Sequence, residues 1–260
     1  MSYKVIDVSY HQGSIDFKKV KADGVVGVIL RIGYTGYGTA KQKKADPNFE
    51  QYYVDAKAAG LNVGGYWYSC AYTVAEAEEE AEMVLKLIKG KKFEYPIYWD
   101  TEDVHDTSKA GNAPKNQRTI GKTLLTDCAV AFCEKLEAAG YWVGIYASKS
   151  WFLAQLEHAR IKPYAQWVAH YTTSAHPEYA ASYGMWQYSS TGRVSGIKGN
   201  VDMNYCYVDY PKLIKAKGLN NYCNAAPPDE VQGGSDEASA AKAKVAELEA
   251  KLAQIKALLG

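Results

Sequence analysis

Lys57-Ala58-Ala59-Gly60-Leu61-Asn62-Val63-Gly64-Gly65-Tyr66-Trp67-Tyr68 reads as the end of a helix, a glycine stop and an apolar strand, with nothing in between. Glycine just past a helix end supplies the left-handed residue that stops it. The same order occurs twice more. Lys21-Ala22-Asp23-Gly24 runs into Val25-Val26-Gly27-Val28-Ile29-Leu30-Arg31, and Glu137-Ala138-Ala139-Gly140 runs into Tyr141-Trp142-Val143-Gly144-Ile145-Tyr146. Near-continuous apolar strands alternating with helices predict a parallel sheet covered on its outer face, and this many units predicts a barrel.

The intervening helices are legible from their flanks. Asp46-Pro47 opens one that carries Phe49, Tyr52, Tyr53 and Ala56, since proline is tolerated best in a first turn. Thr73 caps an acidic helix over 76–88, whose Glu76, Glu78, Glu79, Glu80 and Glu82 read as a solvated face rather than a metal site. Residues 119–139 contain the longest helix, and Ser148 begins another with Trp151, Phe152 and Leu156. Thereafter Ala165-Gln166-Trp167-Val168-Ala169-His170, Gly184-Met185-Trp186-Gln187-Tyr188 and Gly199-Asn200-Val201-Asp202 follow with little helix between them. The tally is five βα units and then three strands.

A chain of 260 residues with 47% hydrophobic residues can bury one barrel-sized core. Its net charge of +1 gives no reason to expect nucleic acid or an anionic membrane as partner. With 22 Tyr and 6 Trp against 5 Phe, the aromatic rings are mostly ones that also hydrogen-bond. That bias suits the faces of sugars, and it also suits a tyrosine-rich core. Cys70, Cys128, Cys133, Cys206 and Cys223 have neither C-x-x-C nor Cys/His ligand spacing, so they read as mostly reduced and structural, with no metal or other cofactor implied. Met1-Ser2-Tyr3-Lys4 leads straight into Val5-Ile6-Asp7-Val8, which leaves no room for a signal peptide and predicts synthesis in the cytoplasm.

Composition changes near residue 224. The expected organisation is a barrel over 1–218, a Pro/Gly/Ser-rich linker over 219–236 and an amphipathic helix over 237–260. In that helix Val245, Leu248, Leu252, Ile255 and Leu259 form an a/d seam. Such a narrow stripe suits self-association through 238–259, the stump of a stalk, or docking onto the body.

Tyr95-Pro96-Ile97-Tyr98-Trp99-Asp100-Thr101-Glu102-Asp103 is a short strand that runs out into acids. Residues two apart on a strand share a face, which puts the Asp100 and Glu102 Cα atoms about 6.5–7 Å apart. Like charges at that distance, with a neighbour such as Trp99 adding desolvation, separate the two pKa values. One protonated and one ionised carboxyl is what glycosidic bond cleavage needs, although acids also gather in ordinary loops after strands. Two further acids stand at predicted strand ends: Asp7 in the first strand and Asp202 near the eighth. Active sites of barrels sit at the C-terminal strand ends, and closure makes the first and eighth strands neighbours. Tyr66, Tyr68, Trp99, Tyr146, Trp167, Trp186 and Tyr188 stand at equivalent heights and are expected to wall a groove.

In their order, Asp7-Val8-Ser9-Tyr10-His11-Gln12-Gly13, Gly64-Gly65-Tyr66, Asp100-Thr101-Glu102, Gly144-Ile145-Tyr146, Trp186-Gln187-Tyr188 and Asn200-Val201-Asp202-Met203-Asn204 resemble the successive motifs of the glycoside hydrolase family 25 muramidases. The resemblance covers roughly residues 3 to 215. It implies a TIM-like (β/α)5β3 barrel, cleavage of the β-1,4 bond between N-acetylmuramic acid and N-acetylglucosamine, and the peptidoglycan glycan strand as partner. It further implies Glu102 as general acid, Asp100 as the carboxylate that supports the transition state, and Asp7 and Asp202 as positioning acids. Members without a signal peptide are often phage endolysins that reach the wall through a holin lesion. One departure is visible: the family often has Tyr-His-Phe where this chain has Tyr66-Trp67-Tyr68. A chitinase-like glycosidase usually carries another aspartate where Tyr98 stands, and a silent wall-binding module would not need all four acids. Spacing alone leaves retention, inversion and attack by the substrate's 2-acetamido oxygen open.

Overall fold

The computed structural model describes residues 2–36, 41–103 and 117–222. In chain order the elements are β1 (Tyr3–Val8), α1 (Phe17–Ala22), β2 (Gly27–Thr35), β3 (Lys43–Ala45), α2 (Phe49–Ala58), β4 (Asn62–Tyr68), α3 (Val74–Ile88), β5 (Ile97–Asp100), α4 (Lys122–Ala138), β6 (Val143–Ser148), α5 (Lys149–Ala154), α6 (His158–Ile161), β7 (Ala165–Ala169), β8 (Met185–Gly192), β9 (Val201–Cys206) and α7 (Tyr210–Ala216). The helix stops behave as the glycines require. Gly60 has φ of 75° and Gly140 has φ of 84°. The Gly60 amide donates to the Lys57 carbonyl and the Leu61 amide to that of Ala56, with the same pair of bonds at Gly140 and Tyr141. These paired bonds close the helix ends and turn the chain directly into β4 and β6.

Eight strands close in the order β1-β9-β8-β7-β6-β5-β4-β2, with β2 pairing back to β1 and β3 added at the edge of β2. Neighbours are parallel from β1 round through β2 and β4 to β8, whereas β9 is antiparallel to both β8 and β1. Strand alternation sorts the apolar residues into two sets. Val5, Ile29, Tyr98, Tyr146, Trp167 and Met185 belong to a cluster inside the barrel. Ile6, Val28, Leu30, Trp67, Trp99 and Val168 pack outward, in one cluster with Val84, Ile88, Phe132 and Leu136 of the helices.

Several sequence expectations change. Pro47 lies ahead of α2, whose first turn begins after Asn48, and Leu156 is buried beyond the end of α5. Thr73 caps α3 as expected, its hydroxyl accepting from the Glu76 amide at 3.2 Å. Glu80, however, is fully buried rather than solvated. Its Oε1 accepts from Thr35 Oγ1 at 2.6 Å and the Cys70 amide at 3.2 Å, and its Oε2 accepts from Trp99 Nε1 at 3.1 Å. A charged residue in an acidic run looks solvated until the donors it meets, distant in sequence, are known.

Residues 219–222, assigned to the linker, belong to the barrel body. Asn220 is fully buried, its Nδ2 donates to the Phe93 and Tyr95 carbonyls, and its Oδ1 accepts from the Trp142 amide at 2.7 Å. The rest of the predicted linker, the 237–260 helix and Cys223 lie outside the described residues.

Candidate active site

Asp7 sits near the end of β1, where the register sets it opposite Asp202 at the start of β9. The sequence expectation had Asp202 at a strand's C-terminal end. Because β9 runs against the other strands, the beginning of that strand is what reaches the rim where Asp7 and Asp100 stand. Asp100 ends β5, beside Tyr68 of β4 and Tyr146 of β6, and Glu102 follows two residues on. All four acids line one cavity of about 690 Å³.

Asp7 is the centre of a bonded network. Its Oδ2 accepts from Gln187 Nε2 at 3.0 Å and from Asn204 Nδ2 at 2.8 Å. The Asn204 Oδ1 in turn accepts from Trp167 Nε1 at 2.7 Å, and the Gln187 Oε1 accepts from Tyr146 and Tyr171 hydroxyls at 2.9 and 2.7 Å. Asp7 is buried, and that burial, then the neighbouring Asp202 charge, holds its pKa well above the usual carboxylate range despite the two amide donors. Asp100 is likewise raised, first by burial, then by the charges of Glu102 and Asp7, while Arg31 opposes the shift. Burial lifts Asp202 to about 6. Asp100 Oδ1 is buried and has no hydrogen-bond partner.

Of the aromatic residues expected around the acids, Tyr66, Tyr68, Tyr146 and Trp167 line the cavity. Trp99, Trp186 and Tyr188 do not. Trp99 points into the helix layer, where it meets Glu80. Trp186 and Tyr188 alternate with the inward Gln187 and face out of the barrel, where Tyr188 stacks on Tyr205 with centroids 4.5 Å apart. Trp67, which stands at the departure from the family pattern, also faces outward and donates to Thr35 Oγ1. Sequence reasoning passed over Gln187 and Asn204 as site residues, although both stand within quoted motifs. Tyr10, Arg31, Tyr34 and Tyr171 also line the cavity unassigned. A charge at the end of the apolar run of β2 was the available signal for Arg31.

Residues 6–197 match the family described as Glycosyl hydrolases family 25. The chain belongs to family 25. It is 29% identical over 203 residues to the autolytic lysozyme of Clostridium acetobutylicum, covering 77% of this chain and 55% of that protein. The structure of the modular autolysin LytC from Streptococcus pneumoniae, in complex with a synthetic peptidoglycan ligand, is 31% identical with a TM-score of 0.68, over 79% of this chain and 47% of that one. The bacterial lysozyme from Streptomyces coelicolor is 25% identical with a TM-score of 0.63, over 85% and 99% of the two chains. The chain thus spans about half the length of the first two of these relatives. The TIM-like (β/α)5β3 barrel expected from the resemblance is the observed fold, with the last strand reversed.

Proposed function

We propose that this family 25 barrel hydrolyses the β-1,4 bond between N-acetylmuramic acid and N-acetylglucosamine in peptidoglycan. The observation that carries the reading is the convergence of Asp7, Asp100, Glu102 and Asp202 on one tyrosine-walled cavity. The relatives named as lysozymes, and the autolysin solved with a peptidoglycan ligand, support the substrate class.

Glu102 stands further out on the rim than the buried Asp100 and is the group proposed to protonate the glycosidic oxygen. Burial and the neighbouring Glu102 charge raise the Asp100 pKa, so its ionised form gains most from positive charge placed beside it. Positive charge developing at the anomeric carbon then favours ionised Asp100, while Glu102 gives its proton to the leaving oxygen. Asp7, held by Gln187 and Asn204, and Asp202 beside it position the sugar.

The experiment is turnover of purified peptidoglycan by Glu102→Gln, with reducing ends identified. Loss of a general acid costs roughly 10²- to 10⁴-fold. Activity within a few-fold of the parent would remove Glu102 from that role, and N-acetylglucosamine at the new reducing ends would point to the chitinase-type specificity instead. The anomer formed first reports whether configuration is retained.

A further inference from the structure

Arg31 is the one residue with a fixed positive charge among the described residues lining the acid cavity. Its inward direction follows from the β2 register, which pairs it with the inward Tyr66 two residues after the inward Ile29. The guanidinium is built in on three sides. Its Nε donates to Asp46 Oδ2 at 2.8 Å, and its central carbon lies 4.9 Å from the Tyr10 ring centroid and 5.0 Å from that of Tyr34. Asp46 is itself fixed, accepting from the Tyr10 amide at 3.1 Å and the Asn48 amide at 2.9 Å. The Arg31 side chain is only 10% exposed and that of Asp46 only 1%. Despite this enclosure, Arg31 Nη2 is buried without a hydrogen-bond partner.

A buried charged donor left unpaired is costly, and a guanidinium fork is suited to planar oxygen acceptors. The surrounding acids accept hydrogen bonds from sugar hydroxyls but offer little to a carbonyl. We propose that Arg31 Nη2 is the cavity's receptor for an sp² oxygen of the glycan, either the carbonyl of a 2-acetamido group or the carbonyl or carboxylate of the muramyl lactyl arm. Asp46, Tyr10 and Tyr34 hold the fork in place. The inference rests on the glycan reading of the same cavity.

The test measures binding without turnover, by calorimetry in a Glu102→Gln background, with chitotetraose and with a muramyl-containing tetrasaccharide. Arg31→Lys keeps a charge beside Asp46 but cannot present a second nitrogen, and Arg31→Met with Asp46→Asn removes the pair without stranding a buried carboxylate. Both are expected to weaken the muramyl ligand at least tenfold with folding intact by circular dichroism. Equal weakening of chitotetraose assigns the acetamido oxygen, and unchanged chitotetraose binding assigns the lactyl arm. Affinities within twofold of the parent for both ligands overturn the proposal, as does a parent that binds neither. If Glu102-containing protein binds the muramyl ligand through Arg31 without cleaving it, the hydrolase reading fails while the Arg31 receptor stands.

Discussion

Asp7 and Asp202 stand directly opposite each other across the antiparallel β1–β9 pair, and both line the acid cavity. The Asp202 pKa rises from 3.8 to about 6, so the folded state binds a proton more tightly than the unfolded chain. Stability therefore falls as pH rises between these two values, and the penalty is complete above the higher one. Asp202→Asn removes it. The variant is expected to exceed the parent by about 1–3 kcal/mol above pH 6 and to lose that advantage near pH 4, as melting temperatures across this range will show.

The two faces of the barrel wall give opposite outcomes for two tyrosines. Tyr146→Phe deletes the hydroxyl that donates to Gln187, and a lost hydrogen bond of about 1 kcal/mol predicts roughly fivefold slower glycan turnover. Tyr188→Ala acts on the outer face, so turnover per folded molecule should stay within about twofold. A large loss in the second variant would contradict the outward placement.

Glu80→Ala strands three donors, Thr35 Oγ1, the Cys70 amide and Trp99 Nε1, behind the rim. At about 1–3 kcal/mol for each unsatisfied buried group, a loss of at least about 3 kcal/mol is expected. Glu80→Gln, which keeps one acceptor oxygen, should fall between this variant and the parent in urea denaturation.

Gly144 is needed for lack of space. A Cβ there would lie 2.5 Å from the Ala165 carbonyl oxygen and 2.5 Å from Tyr98 Cε1. Neither the backbone of β7 nor a ring inside the barrel can retreat cheaply. Gly144→Ala is expected to cost about 3 kcal/mol, a fall of roughly 6–12 °C in Tm by calorimetry.

The barrel was legible because its signals are local. Gly60 and Gly140 mark helix ends, the following apolar runs mark strands, and the two-residue spacing at the end of β5 brings Asp100 and Glu102 to one cavity. What escaped depends on partners far away in sequence. A strand's direction is not written in its own residues, so the reversal of β9 could not be read from Val201 and Asp202. Trp186 and Tyr188 are apolar enough to suit either face, and only the bonds of Gln187 to Asp7 and Tyr146 show which side is inside. Glu80 and Arg31 were missed for the same reason, since a charge declares its burial only through distant partners such as Trp99 and Asp46.

Closing the ring through β9 also sets the order in which competence is acquired. The bonds that Gln187 and Asn204 make to Asp7 span 180 and 197 residues. Contacts of such sequence separation carry the largest loop-closure entropy and form after local structure. Until β9 docks on β1, Asp7 lacks Asn204 and Asp202 of that strand, and Gln187 of β8 is held to it only through β9, which lies between β8 and β1. A chain ended before residue 201 therefore has the βα units but lacks the four-acid floor, and it is expected to show no glycan turnover rather than a partial one.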